Sequence, residues 1–378
     1  MSAVVVFIIF AICLIIAIPI SISLGIVAVL PGAFDASFTA SAGYVIRSMV
    51  GGIDSFPLLA VPMFVLAGIL MAHGKISEKL FDVFVYFLGN KRAGIPCAVI
   101  ITCLFYGAIS GSAPATVAAV GSMTIPLLIE LGYEKDFSTA IVAVAGGLGV
   151  IIPPSIPFIM YAMVTGESVS DLFLAGIVPG MMISALLIFY AYYYCRRHGE
   201  DREKIQAKMD QLKTKGFVNI LKESIWALLS PVIVLGCIYS GVASPTEAAV
   251  ISVFYSLFVS LFIYKSIKVK QIWGIMVEAM KTYAPILFIL ATSTAFSRVL
   301  TLMQVPQDVS AWIMTHFSNE IVLLLVINVV LLIVGMVMDT TPAILILSPI
   351  LLPIVEHVGM NPIHFGVMMI VNLAVGFV

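Results

Sequence analysis

The chain is patterned as long apolar runs separated by short polar breaks. Runs of the length that crosses a bilayer, about 20 residues, cover 3–30, 55–73, 137–163, 169–195, 220–241, 245–265 and 273–298, and a last one starts at 362. The apolar positions are continuous rather than alternating. Each run therefore predicts a helix that is hydrophobic all round, and the short alternating segments of a closed barrel are missing. Two further stretches, 93–133 and 319–358, are apolar but broken in the middle by polar residues. Together these patterns predict an all-α polytopic membrane protein.

Composition agrees. Of 378 residues, 61% are hydrophobic and only 10% charged, too little charge to cover a soluble domain of this length. Mean hydropathy is +1.15. A net charge of −1 argues against a nucleic-acid partner. Cys13, Cys97, Cys103, Cys195 and Cys237 lie singly in or beside apolar runs, without metal spacing, and read as small buried hydrophobes. The first run, 3–30, has no basic segment before it and is too long for a signal-peptide core, so it reads as a retained helix.

Basic residues orient the spans. Lys75, Lys79, Lys91 and Arg92 form one cluster, Arg196, Arg197, Lys204, Lys208, Lys213 and Lys215 a second, and Lys265, Lys268 and Lys270 a third. All three are assigned to the cytoplasm. Segments 166–170, 241–245 and 302–318 contain no Lys or Arg and fall outside. The N-terminus is then cytoplasmic. Segment 196–217 is predicted to be a solvated cytoplasmic linker, and Trp273, Trp312 and the Tyr192–Tyr194 run to be interfacial anchors.

An internal repeat emerges from the glycines and prolines. Pro126, Gly132 and Gly149 fall opposite Pro353, Gly359 and Gly376 at one constant offset, and a one-residue slip pairs Pro114-Ala115 with Pro342-Ala343. The first broken stretch begins and ends on the cytoplasmic side, at Arg92 and Lys135. The second begins and ends outside, near Asn319 and Asn361. The copies are expected to be inverted, as in secondary transporters.

The polar breaks read Ser110-Gly111-Ser112-Ala113-Pro114-Ala115-Thr116 and Asp339-Thr340-Thr341-Pro342-Ala343. A hydroxyl residue shortly before a proline, then a fresh apolar run, is a helix-start pattern: Ser or Thr caps, and Pro is tolerated in the first turn. Each break ends one helix, freeing carbonyls, and starts another, freeing N–H groups. Carbonyls with Ser and Thr hydroxyls suit a hard cation such as sodium, and N–H groups suit a carboxylate. Two ordinary spans joined by a surface turn and a re-entrant hairpin both satisfy the topology. Within 137–163, the run from Gly146 to Pro154 contains three glycines and a double proline, which predicts a broken helix, although small residues also serve close helix packing. Asp339 is the only acid in the middle of a long apolar stretch, where charge is costly unless it has a role; capping the next helix is one such role. Glu247, in Ser244-Pro245-Thr246-Glu247, is explained by capping, and Glu278 and Lys281 are spaced to pair on one helix.

The run from Gly107 to Thr116, the run from Gly149 to Pro154, and Gly335 through Asp339 to Pro342 resemble the large membrane subunit of the tripartite ATP-independent periplasmic (TRAP) transporters, over essentially the whole chain. The resemblance implies a sodium-driven, elevator-type importer of organic acids in the bacterial inner membrane. Its dicarboxylate and sialic acid branches are the similar ones, with an overall pattern nearer the latter. Implied partners are a periplasmic binding protein that delivers the substrate and a small four-helix membrane subunit. Both hairpins would be re-entrant and, with their facing broken helices, would form the moving transport domain against a scaffold of the other helices. On that scheme 1–91 and 218–300 are scaffold, 92–195 is the first repeat with its hairpin at 92–133, 196–217 is the linker, and 319–378 is the second repeat with its hairpin at 319–358.

Carried over by residue, one sodium site would use Ser110 and Ser112 with carbonyls near Gly149, Ile152 and Pro154. A second would use Gly335, Asp339, Thr340 and Thr341 with Gly376. The substrate carboxylate would lie between the tips, near Ser112, Thr116, Pro154, Ser155 and Thr341, with Ser168 and Glu247 as further positions. Two or more sodium ions and no organic cofactor are implied. Set against the first copy, the second stops at Val378, where a counterpart of Ile152-Pro153-Pro154 belongs, so further helix is expected. Rival readings are a sodium-coupled dicarboxylate carrier that needs no binding protein, a channel, which the absence of a repeated pore segment disfavours, and an intramembrane enzyme. An aspartyl protease needs two facing carboxylates, and Asp339 has no equal in another core span.

Overall fold

In the computed structural model, residues 3–34, 38–214, 216–316 and 319–378 are described, and every regular element among them is helical. Lys215, the end of the 302–318 segment and the side chain of Trp312 lie outside the described residues. Helices α1 (Ala3–Ile15), α2 (Ile20–Phe34) and α3 (Ala42–Ile53) come first, then α4 (Ala60–His73) and α5 (Ile76–Leu88). The first broken stretch is α6 (Gly94–Ser110) and α7 (Ala113–Glu130). Behind it come α8 (Lys135–Gly146), a short α9 (Leu148–Ile151) and α10 (Ile156–Thr165). The chain continues through α11 (Val169–His198), α12 (Arg202–Thr214), α13 (Phe217–Tyr239), α14 (Pro245–Phe258), α15 (Val269–Leu302) and α16 (Val305–His316). The second broken stretch is α17 (Glu320–Val337) and α18 (Thr340–His357), followed by α19 (Pro362–Phe377).

Among the described residues, nine helical segments are long and apolar enough to cross a membrane. They differ in what covers them. In the most apolar 18-residue stretch of Lys135–Thr165, 89% is buried inside the protein, against 28% in that of Val169–His198. On α11 the exposed side chains Leu174, Val178, Met182, Leu186 and Phe189 recur at helical spacing and form an apolar face that lipid would cover.

Three expectations need correction. The single span read over 3–30 is two helices: the chain turns at Ala17, with φ of 63°, just before Pro19. Proline lacks the N–H for the ladder and disfavours helix at the residue preceding it. The linker at 196–217 is largely the helix α12, and its start is not simply solvated. Glu200, with a side chain only 2% exposed, accepts from the Tyr133 hydroxyl at 2.7 Å, the Ala93 amide at 3.0 Å and Arg202 at 3.0 Å. Burial, then this hydrogen bond, pushes the Tyr133 phenol well above its ordinary range, so Tyr133 stays a donor. Glu278 is held by His73 at 2.9 Å across two helices rather than by Lys281 on its own helix.

The chain divides into two compact units. One comprises Met1–Leu59, Pro157–Leu172 and Met280–Phe377; the other comprises Ala60–Ile156 and Phe173–Ala279. The first hairpin belongs to the second of these and the second hairpin to the first. In the unit around α6 and α7, Val99, Ile100, Cys103, Ile141, Val142 and Leu148 pack the hairpin onto α8 and α9, and the buried Tyr106 hydroxyl donates to the Gly68 carbonyl at 3.0 Å. In the other, Leu24, Val27, Phe296 and Val299 form a core that reaches Ile346 and Ile350 of α18.

Candidate functional site

The first hairpin turns through Gly111, whose φ of 63° is the left-handed conformation that favours glycine. Ser112 occupies the cap position of α7 but makes no side-chain cap bond, and Pro114 sits in the first turn. The hydroxyls spend themselves on each other instead. Ser110 Oγ and Thr116 Oγ1 are 3.0 Å apart, and Thr116 Oγ1 donates to the Ser112 carbonyl at 2.8 Å. Ser110 and Thr116 are almost wholly buried, at 2% and 0% exposure.

This tip meets the break in the neighbouring segment. Helix α9 ends at Ile151, and the backbone is non-helical from Ile152 to Ser155 before α10 begins. Pro153 and Pro154 cannot donate, so carbonyls in the preceding turn lose helical partners. The Ile156 amide donates to the Gly111 carbonyl at 3.2 Å. A side chain on Gly111 would approach the Pro154 carbonyl oxygen at 2.9 Å, and one on Gly149 the Ser112 carbonyl oxygen at 2.8 Å. Ser110, Ser112, Thr116, Gly149 and Pro154 therefore lie in one oxygen-rich cluster. Ile152 is tied by its amide to the Leu148 carbonyl at 2.9 Å. Ser155 is fully buried and donates to the Val150 carbonyl, bracing the break.

The second tip is built differently. Met338 is extended, and Asp339 caps α18 by accepting from the Thr340 amide at 2.7 Å and the Thr340 hydroxyl at 3.2 Å. Thr340 and Thr341 are buried while the Asp339 residue is exposed within its unit. Gly376 lies against Gly335, one turn before the tip, rather than against Asp339.

The glycines paired in the sequence occupy similar local settings. Gly107 and Gly149 approach so closely that a Cβ on Gly107 would be 2.6 Å from the Gly149 Cα. A Cβ on Gly335 would be 3.1 Å from the Gly376 Cα. Gly149 and Gly376 both lie about four turns into the segments that begin with α8 and α19. At the hairpin bases, Gly132 and Gly359 have φ of 92° and 79°. Tyr133 and Met360 each donate their amide back to the carbonyl five residues earlier, at 3.0 Å, the Schellman closure of a helix end.

The remaining sequence candidates cap helices. Ser168 Oγ accepts from the Asp171 amide at 3.3 Å, and Glu247 completes a capping box with Ser244 at the start of α14. Among the described residues no group of three or more His, Cys, Asp and Glu could hold a metal. Sequence reasoning missed the Glu200 contacts, because acids in a hydrophilic stretch look solvated. It also missed the hydrogen bond between Asn328 and Asn372 across α17 and α19, at 2.7 Å.

Residues 7–378 match the family described as the tripartite ATP-independent periplasmic transporter, DctM component. The chain belongs to that family. It is 42% identical over 369 residues to the isethionate TRAP transporter permease protein DctMQ of Oleidesulfovibrio alaskensis, covering 98% of this chain and 57% of that protein. The C4-dicarboxylate TRAP transporter large permease protein DctM of Pseudomonas aeruginosa is 38% identical over 325 residues, 86% of this chain and 75% of that one. The crystal structure of the Alcanivorax borkumensis YdaH transporter shares the fold, with a TM-score of 0.60 at 14% identity over 94% of this chain and 85% of that one.

Proposed function

We propose that the chain serves a sodium-coupled secondary importer of small organic anions in a bacterial inner membrane, with its N-terminus in the cytoplasm. It would work with a small four-helix membrane subunit and a periplasmic binding protein. The observation that carries this reading is the first tip. It sets buried hydroxyl and carbonyl oxygens against the middle of Lys135–Thr165, a segment long enough to cross a bilayer. A neutral oxygen cluster at that depth fits a hard monovalent cation, and the re-entrant reading of the hairpin gains support from the same placement. Asp339, Thr340 and Thr341 would supply a second sodium site with a formal charge.

Relatives named for isethionate and for C4-dicarboxylates support a small carboxylate or sulfonate as the substrate class, and sialic acid is proposed as one such carboxylate. Its anionic group would use free N–H groups at a helix start, such as that of α7 near Ser112. Movement is proposed to be of the elevator type.

The test is uptake of radiolabelled succinate and isethionate into proteoliposomes containing the intact transporter, with binding protein added outside. Uptake is expected only under an inward sodium gradient. Equal uptake without sodium sinks the coupling, and full uptake without the binding protein favours a carrier that works alone.

A further inference from the structure

Within the unit that holds the second hairpin, a recess of about 310 Å³ is walled by α3, α10, α15 and α18 together with Ser55. That is the small end of the usual range for ligand pockets, roughly 300–1,000 Å³. Arg298, an exposed residue and the only charged one in the last five turns of α15, lines it beside Thr294 and Ser297. Close approach of α3 makes room for the guanidinium: a Cβ on Gly51 would lie 3.9 Å from Arg298 Nη1. Among the described residues Arg298 has no ion pair, and the hydroxyls of Ser55 and Ser297 have no hydrogen bond. No carboxylate lines the recess. Arg298 lies one turn from the end of α15, where a cation complements the helix dipole. That accounts for the charge but not for the unspent donors gathered around it.

We propose that this recess is a second solute site, binding the carboxylate or sulfonate group through the Arg298 fork and the Ser55 and Ser297 hydroxyls. The proposal rests on the transport reading above for its ligand class. Leu345 is the contribution of α18, and none of Asp339, Thr340 and Thr341 lines the recess, so the recess is not built from the hairpin tip. A guanidinium matches a planar or tetrahedral oxyanion with two parallel hydrogen bonds. The Arg298 guanidinium itself supplies the positive charge the anion needs, so binding here is expected without sodium.

The experiment is calorimetric titration of succinate and of isethionate into the intact transporter in phosphatidylcholine nanodiscs, without sodium. Wild type is expected to bind at least one probe. Arg298→Gln should weaken that binding about tenfold or more, and Arg298→Lys about threefold, because an ammonium keeps the charge without the fork. Ser297→Val serves as a milder variant, expected to fall between wild type and Arg298→Gln, with melting temperature as the folding control. Absence of sodium-free binding to wild type, or equal binding by wild type and Arg298→Gln, overturns the proposal. So does phosphatidylglycerol that displaces the probe and is retained in native mass spectra by wild type but not by Arg298→Gln, which assigns the recess to a lipid phosphate. If sodium-driven uptake fails while Arg298-dependent binding persists, the recess stands and the transport reading falls.

Discussion

The two hairpins share their joints and differ at their tips. Both close their bases on a left-handed glycine, and both cross the following segment glycine against glycine. At the tips, the first is made of neutral oxygens that satisfy one another, Ser110 with Thr116 and Thr116 with the Ser112 carbonyl. The second is governed by one carboxylate, Asp339, which spends itself on the next helix. Backbone geometry is thus the common element, and polar chemistry is what separates the copies. The bases differ too: Glu200 clamps the first, while Asn361 caps the helix after the second, accepting from the Ile363 amide at 2.9 Å.

The largest effect is expected where the copies agree. Gly149→Val and Gly376→Val each force a side chain into backbone, and sodium-driven uptake should fall about 100-fold in both. Normal uptake in one of them would break the equivalence of the crossings. Next come the bases. Glu200→Ala leaves the Tyr133 hydroxyl and the Ala93 amide without a partner and should cost about 2–4 kcal/mol, read as a large drop in melting temperature, against about 1 kcal/mol for Asn361→Ala. Similar drops would show that the clamp is not specific to the first hairpin.

The tips give the smaller signals. Ser110→Ala removes one oxygen from the proposed cage, and the sodium concentration for half-maximal uptake should rise about tenfold, or 1.4 kcal/mol; an unchanged sodium titration would clear Ser110 of ion binding. Smallest of all is capping. Asp339→Ala should lose about 1 kcal/mol of stability, whereas Ser112→Ala should lose almost none, since Ser112 makes no cap bond. Denaturant titration of the two variants separates them, and equal losses would erase the difference drawn between the tips.

Much of this was legible in the sequence because apolar length and Gly-Pro punctuation act locally. The breaks at Ser110 to Thr116 and Asp339 to Ala343 follow from helix-start chemistry, and the double proline located the gap after α9. Ala17 was not legible, since the run over 3–30 stays apolar through its turn and Pro19 alone does not say which side breaks. Ser112 sits where a cap belongs, yet its side chain makes no cap bond, and its backbone carbonyl accepts from the Thr116 hydroxyl a full turn away. Glu200 and Arg298 were invisible for opposite reasons. One is an acid in a charged stretch whose burial comes from Ala93 and Tyr133, remote in sequence; the other closed an apolar run and read as its boundary.

The glycine crossings bear on how such a molecule can diverge. A contact made of two Cα atoms carries no side-chain information, so nothing around it is obliged to match residue for residue. The facing surfaces of each half are free to drift toward different solutes, different ions or different neighbours while the joints stay fixed. The likeness of the two halves is then a matter of a few letters, Gly149 with Gly376 and Gly132 with Gly359, while the words between them differ.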